Sequence, residues 1–143
     1  MTDNDYMKLA LGEAQQAFDS GEVPVGCIIV AGNRVVGRGH NLTQTLSDVT
    51  AHAEIQAITA ASQTLGGKYL PECTLYVTVE PCVMCAGAIG WAQVGRLVYG
   101  ASDPKRGYTI FAPKALHPKT HVTTGVLEQE CQTLMETFFK KLR

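Results

Sequence analysis

Leu75-Tyr76-Val77-Thr78-Val79-Glu80-Pro81-Cys82-Val83-Met84-Cys85-Ala86 is the stretch on which the reading of this chain turns. Thr74 to Val79 is rich in β-branched and aromatic residues and predicts a strand. It runs straight into Glu80-Pro81-Cys82, where Pro81 suits the first turn of a helix because its missing N–H costs nothing there. From about Cys82 to Ala92 the sequence predicts a helix that is apolar nearly all round, and so either buried or shared with another subunit. Cys82 and Cys85, three apart, would share one face of that helix. The positive end of its dipole would favour thiolate over thiol.

Upstream, Thr50-Ala51-His52-Ala53-Glu54 supplies what the cysteines lack. Asp48 and Thr50 are candidate caps for a helix opening near His52. Together the two segments read H-x-E, then P-C-x-x-C: an imidazole, two thiols and one spare carboxylate. Three protein ligands with a fourth position left open for water describe a catalytic Zn²⁺ site. His52, Cys82 and Cys85 are the expected ligands and Glu54 the expected base. A C-x-x-C alone serves equally as a redox pair or as half of a structural zinc site. No thioredoxin-like βαβ unit precedes it, and a structural site would have no use for Glu54. The combined pattern is the known signature of the zinc nucleobase deaminases, so the assignment is a match to that signature.

Working outward, Met7, Ala10, Leu11, Ala14 and Phe18 form an apolar stripe at helical spacing, with Asp5 as the expected cap. Gly21 and Pro24 end that helix. Val25 to Val30 predicts a buried strand, and Arg34 to His40 its hairpin partner after the turn Ala31-Gly32-Asn33. Gly37 and Gly39 predict close backbone approach or a bulge. Asn41 reads as a strand-end turn residue. Residues 42 to 51 form a polar loop, and Ile55, Ala57, Ile58 and Ala61 face a sheet from the next helix. Arg96 to Gly100 and the vicinity of Val122 are further strands. Between them lies a polar segment with Pro104, Pro113 and Pro118 and an exposed-looking Tyr108-Thr109-Ile110-Phe111. A last helix carries Leu127, Cys131, Leu134, Met135, Phe138 and Leu142. The order α-β-β-α-β-α-β-loop-β-α predicts an α/β fold, a mixed five-stranded sheet opened by an antiparallel hairpin and sandwiched between helices.

At 143 residues a single domain spanning 1–143 is expected, with no need of staples. Five cysteines, an odd number, argue against a disulfide framework and for a reducing, cytoplasmic setting. Cys27, Cys73 and Cys131 read as small buried hydrophobes. No apolar run is long enough to cross a bilayer. A net charge of −1 is not that of a chain that binds nucleic acid everywhere. Lys105, Arg106, Lys114, Lys119, Lys140, Lys141 and Arg143 could still form a local basic patch.

The chain resembles the cytidine deaminase superfamily, and most of all its bacterial tRNA-specific adenosine deaminases. The resemblance rests on Glu22-Val23-Pro24-Val25-Gly26, Gly39-His40-Asn41, Thr50 to Glu54, Leu75 to Ile89 and Val98-Tyr99-Gly100-Ala101. It implies the three-layer α/β/α cytidine-deaminase-like fold, a homodimer and a tRNA anticodon loop as partner. It also implies that Asn41 holds the base or sugar and that backbone near Ala53 and Glu80 contacts the base or the attacking water. The chain departs from this family in Gly107 to His117, which replaces a segment of small residues and helps to choose the substrate. Tyr108 is expected to stack on unpaired bases there, and Phe138, beside Phe139-Lys140-Lys141, to touch RNA. The resemblance leaves a second substrate class open, free guanine or cytosine and their nucleosides. A non-catalytic RNA-binding module with a structural zinc is a third reading, against which Glu54 stands.

Overall fold

The computed structural model describes residues 1–143. In chain order the elements are α1 (Asp3–Asp19), β1 (Gly26–Ala31), β2 (Arg34–His40), α2 (Ala53–Leu65), β3 (Cys73–Val79), α3 (Val83–Trp91), β4 (Arg96–Ala101), α4 (Tyr108–Phe111), β5 (His121–Thr124) and α5 (Glu128–Lys141). The predicted order holds, with the one-turn α4 added inside the segment expected to be a loop.

One five-stranded sheet runs β2-β1-β3-β4-β5. β1 pairs antiparallel with both β2 and β3, whereas β3, β4 and β5 are parallel. Strand alternation builds the three layers, because successive side chains point to opposite faces. Cys27, Ile29, Leu75, Val77, Leu97 and Tyr99 face one way and pack with Ala53, Ala57, Ala61, Ala86 and Ile89 of α2 and α3. Ile28, Val30, Tyr76 and Val98 face the other way and meet Tyr6, Met7 and Ala10 of α1 and Cys131 of α5.

Both expectations for the glycines of β2 are met. The pairing of β1 with β2 shifts register between Ile29 and Val30, so β2 carries an extra residue at this point. A Cβ on Gly37 would sit 2.4 Å from the Ala57 carbonyl oxygen, and one on Gly39 2.5 Å from that of Ala53. Only glycine lets α2 lie this close to its strand.

Two caps differ from expectation. Thr2, not Asp5, caps α1: its side chain accepts the Asp5 N–H while the Asp5 carboxylate takes the Thr2 N–H. This reciprocal capping box satisfies two donors where a lone cap satisfies one. Neither Asp48 nor Thr50 caps α2. Asp48 accepts the Thr50 N–H and hydroxyl, and His52 is the cap residue, without a side-chain bond to the helix.

Candidate active site

The first turns of α2 and α3 meet beside the ends of β2 and β3. His52 caps α2 and Cys82 caps α3. Pro81 therefore stands outside the helix, two residues before the first helical position, Val83, which is where its helix-starting chemistry would put it. Its carbonyl oxygen accepts the Tyr108 N–H at 2.9 Å, and Cys82 forms an isolated antiparallel bridge with Gly107. These contacts hold the backbone extended through Cys82 and delay the helix to Val83.

Nδ1 of His52 lies 3.7 Å from Cys82 Sγ and 3.5 Å from Cys85 Sγ. All three potential ligand atoms lie within 4.8 Å of one another. A tetrahedral zinc with bonds of about 2.3 Å to sulfur and about 2.0 Å to nitrogen spaces N and S roughly 3.5 Å apart. Donor set and spacing therefore both fit a metal ion. Cys82 is drawn down to about 4 by its hydrogen bond with Cys85 and by the imidazole. Cys85 is pushed up by the same bond and by burial. His52 is raised, chiefly by Cys82. A metal takes thiolate and neutral imidazole, so its binding here would displace the proton that these groups share.

Glu54 occupies the first turn of α2 and is 3% exposed. Burial raises its pKa to about 7, against the pull of its own backbone N–H and of His52. A carboxyl group titrating near neutrality can both take and return a proton.

Above this trio opens a cleft of about 910 Å³. His52, Ala53, Glu54 and Cys82 lie in its lining with Asn41, Glu80, Val23 and Val25. Ser102 to Arg106 border it from the segment after β4, and Met135, Phe139, Lys140, Leu142 and Arg143 from α5 and the residues after it. Four of the seven basic residues of the last third thus converge on the cleft: Lys105, Arg106, Lys140 and Arg143. Lys114, Lys119 and Lys141 are not in its lining.

The other expected contacts are distributed differently. Asn41 is buried in the wall, and its Oδ1 accepts the Thr43 N–H at 3.1 Å. Tyr108, read as exposed, is buried in the core beside Tyr99 and does not line the cleft. Opening its one-turn helix just after Gly107, it turns inward; Ile110 and Phe111 take the solvent positions. Phe138 is likewise buried, edge-on to Phe18 with ring centroids 5.7 Å apart. Phe139, the next residue, is the aromatic that reaches the cleft.

Sequence reasoning assigned no role to Glu22, which is fully buried. Its carboxylate accepts the N–H groups of Gln44 and Thr45, the latter at 2.6 Å, and the Thr45 hydroxyl at 2.7 Å. Burial pushes its pKa up, but these bonds outweigh it and the net shift is down. Glu22 thereby anchors the loop between β2 and His52. An acidic residue beside an otherwise apolar Val23-Pro24-Val25 was the available signal.

The sequence pattern of the MafB19-like deaminases matches residues 1–143. A tRNA-specific adenosine deaminase of Agrobacterium fabrum strain C58 is 44% identical, over 96% of this chain and 94% of its own. One from Bacillus subtilis strain 168 is 41% identical, over 99% of this chain and 91% of its own. A solved structure from work on A-to-I editing by tRNA:A34 deaminases at the wobble position of transfer RNA has a TM-score of 0.85. It is 44% identical and covers 91% of this chain and 98% of that one. With fold, ligand cluster and buried glutamate in agreement, the chain belongs to the MafB19-like deaminases and, among them, to the tRNA-specific adenosine deaminases.

Proposed function

We propose that this protein hydrolyses adenosine to inosine at the wobble position of a tRNA anticodon loop, with Zn²⁺ as its cofactor and residues 1–143 acting as one deaminase domain. The observation that carries this reading is the buried Glu54 beside the His52–Cys82–Cys85 cluster, beneath a cleft bordered by four basic residues. Zinc held by those three side chains would supply activation of water at neutral pH.

The remaining chemistry belongs to the chain. Glu54 takes a proton from the attacking water and gives it to the ring nitrogen beside the target carbon. It then carries a second proton to the departing amine, which leaves as ammonia. Adenosine and water thus become inosine and ammonia. The cleft wall at Asn41 and Ala53 orients the base, and Glu80 shapes the segment facing it. An anticodon loop is single-stranded, so extruding the base costs only a few kcal/mol. Lys105, Arg106, Lys140 and Arg143 are available for its phosphates, and Phe139 for stacking on a neighbouring base.

The exposed side of α3 supports a homodimer. Trp91 is 84% exposed, and Val83 and Met84 on the same helix are also open to solvent. No helix is long and apolar enough to cross a membrane, and all five cysteines are free, which suits work in the cytoplasm. Incubation of the purified protein with an anticodon stem-loop, and separately with adenosine, guanine and cytosine, tests the assignment. Inosine in the stem-loop is the expected product; turnover confined to free guanine or cytosine overturns it.

A further inference from the structure

Glu80 belongs to the same junction as the metal-site cysteines, yet its side chain turns away from them to the chain beyond β4. Oε1 accepts the Asp103 N–H at 3.1 Å, and Oε2 accepts the Thr109 N–H at 3.1 Å and the Thr109 hydroxyl at 2.7 Å. Glu80 as a whole is 5% exposed. Gly107 is the cap residue of α4 and has no side chain with which to satisfy the first amides of that turn. Glu80 satisfies one of them, that of Thr109, from another element. A Cβ on Gly107 would fall 2.1 Å from Glu80 Oε2, so only glycine at 107 leaves the carboxylate its seat. On the backbone side, Pro81 and Cys82 engage Tyr108 and Gly107. The segment 103–109 is therefore fastened at both ends to residues 80–82. Between those fastenings, Pro104, Lys105 and Arg106 border the cleft.

We infer that Glu80 is the positioning residue for the polynucleotide: its carboxylate clamps segment 103–109 so that Lys105 and Arg106 are presented to the strand entering the cleft. This role rests on the RNA reading above only for its kinetic consequence; the clamp itself is a property of the chain. Glu80→Gln keeps the size of the side chain but puts an N–H₂ where one carboxylate oxygen accepts. One backbone amide then faces a donor and loses its partner. Hydrogen bonds to a charged group are worth enough for about a tenfold effect.

The test pairs two measurements on the zinc-loaded protein, wild type and E80Q. Tryptic cleavage after Lys105 and Arg106 is expected to quicken about tenfold in E80Q, with zinc content retained. For stem-loop deamination, KM is expected to rise about tenfold with a smaller change in kcat. Thr109→Val, an exposed position at which only the 2.7 Å bond is lost, should move both readouts the same way by less. Unchanged cleavage in both variants overturns the clamp. A quickened cleavage with unchanged KM overturns its role in positioning RNA. Loss of zinc with kcat falling and KM unchanged makes Glu80 a support of the metal centre and also overturns the inference. A wild type inactive on the stem-loop refutes the proposed substrate, and the cleavage comparison still decides whether Glu80 holds the segment.

Discussion

Nδ1 of His52 and Sγ of Cys85 stand 3.5 Å apart although 33 residues separate them in the chain. With Cys82 Sγ at 3.7 Å from the same nitrogen, they outline three corners of a tetrahedron. The purified protein should therefore carry about one zinc per chain. Cys85→Ala should reduce the metal affinity by more than the roughly 10–100-fold expected for an outer-sphere partner. Elemental analysis after dialysis against a weak chelator measures this; a variant that holds zinc as firmly as wild type would contradict the ligand set.

Glu54→Gln removes the group that titrates near 7 without removing a ligand. Turnover should fall by about 10²–10⁴-fold, the usual worth of a positioned general acid–base, while bound zinc stays at the wild-type level. Single-turnover kinetics and metal analysis on one preparation separate the two effects.

Glu22→Ala strands the amides of Gln44 and Thr45 that now donate to a buried carboxylate. The expected loss is about 2 kcal/mol, tempered by access of water to the loop. Tm should drop by roughly 5 °C. Hydrogen exchange should also quicken in residues 43–46; unaltered protection there would mean that the loop does not depend on Glu22.

Trp91→Glu places a charge on the exposed apolar side of α3. The mass measured by light scattering should fall from that of two chains to that of one, with little change in the far-ultraviolet spectrum. A wild type already running as a single chain would remove the dimer from the proposal.

Asp3 lies under the guanidinium of Arg96, with contacts at 2.8 and 2.6 Å. That bond holds its pKa below the ordinary carboxylate value, with help from the Tyr76 hydroxyl and against some burial. The folded state thus binds this proton less readily than the unfolded chain. Its contribution to stability is complete above about pH 4 and is lost as pH falls through the lower folded value. Because the pair is partly exposed, its worth is about 1 kcal/mol or less. In Asp3→Asn the difference from wild-type Tm should be present at pH 7 and shrink towards pH 3; a constant difference would exclude the ion pair as its source.

Much of the centre could be read before any folding. The proposed ligands and base fall within two short segments, each lying where a helix begins. The strands β1, β3 and β4 were legible because nearly all of their residues are buried, and β2 because it follows β1 across a short turn. The misplaced residues share one cause. Tyr108 and Phe138 were judged by their immediate neighbours in sequence, whereas their burial depends on other elements, the core around Tyr99 of β4 for one and Phe18 of α1 for the other. Pro81 followed local preference until Gly107 and Tyr108 claimed the backbone around it.

What the residues determined by themselves was the chemistry: an imidazole, two thiols and a carboxylate, set where strand or loop yields to helix. Such spacing-dependent features act over a few residues and need no partner to be read. Tertiary structure alone decided which aromatic meets the cleft, which acid is spent on anchoring a loop, and which of seven basic side chains border that cleft. Those choices depend on contacts between segments distant in sequence, where packing and buried hydrogen bonds outweigh local preference.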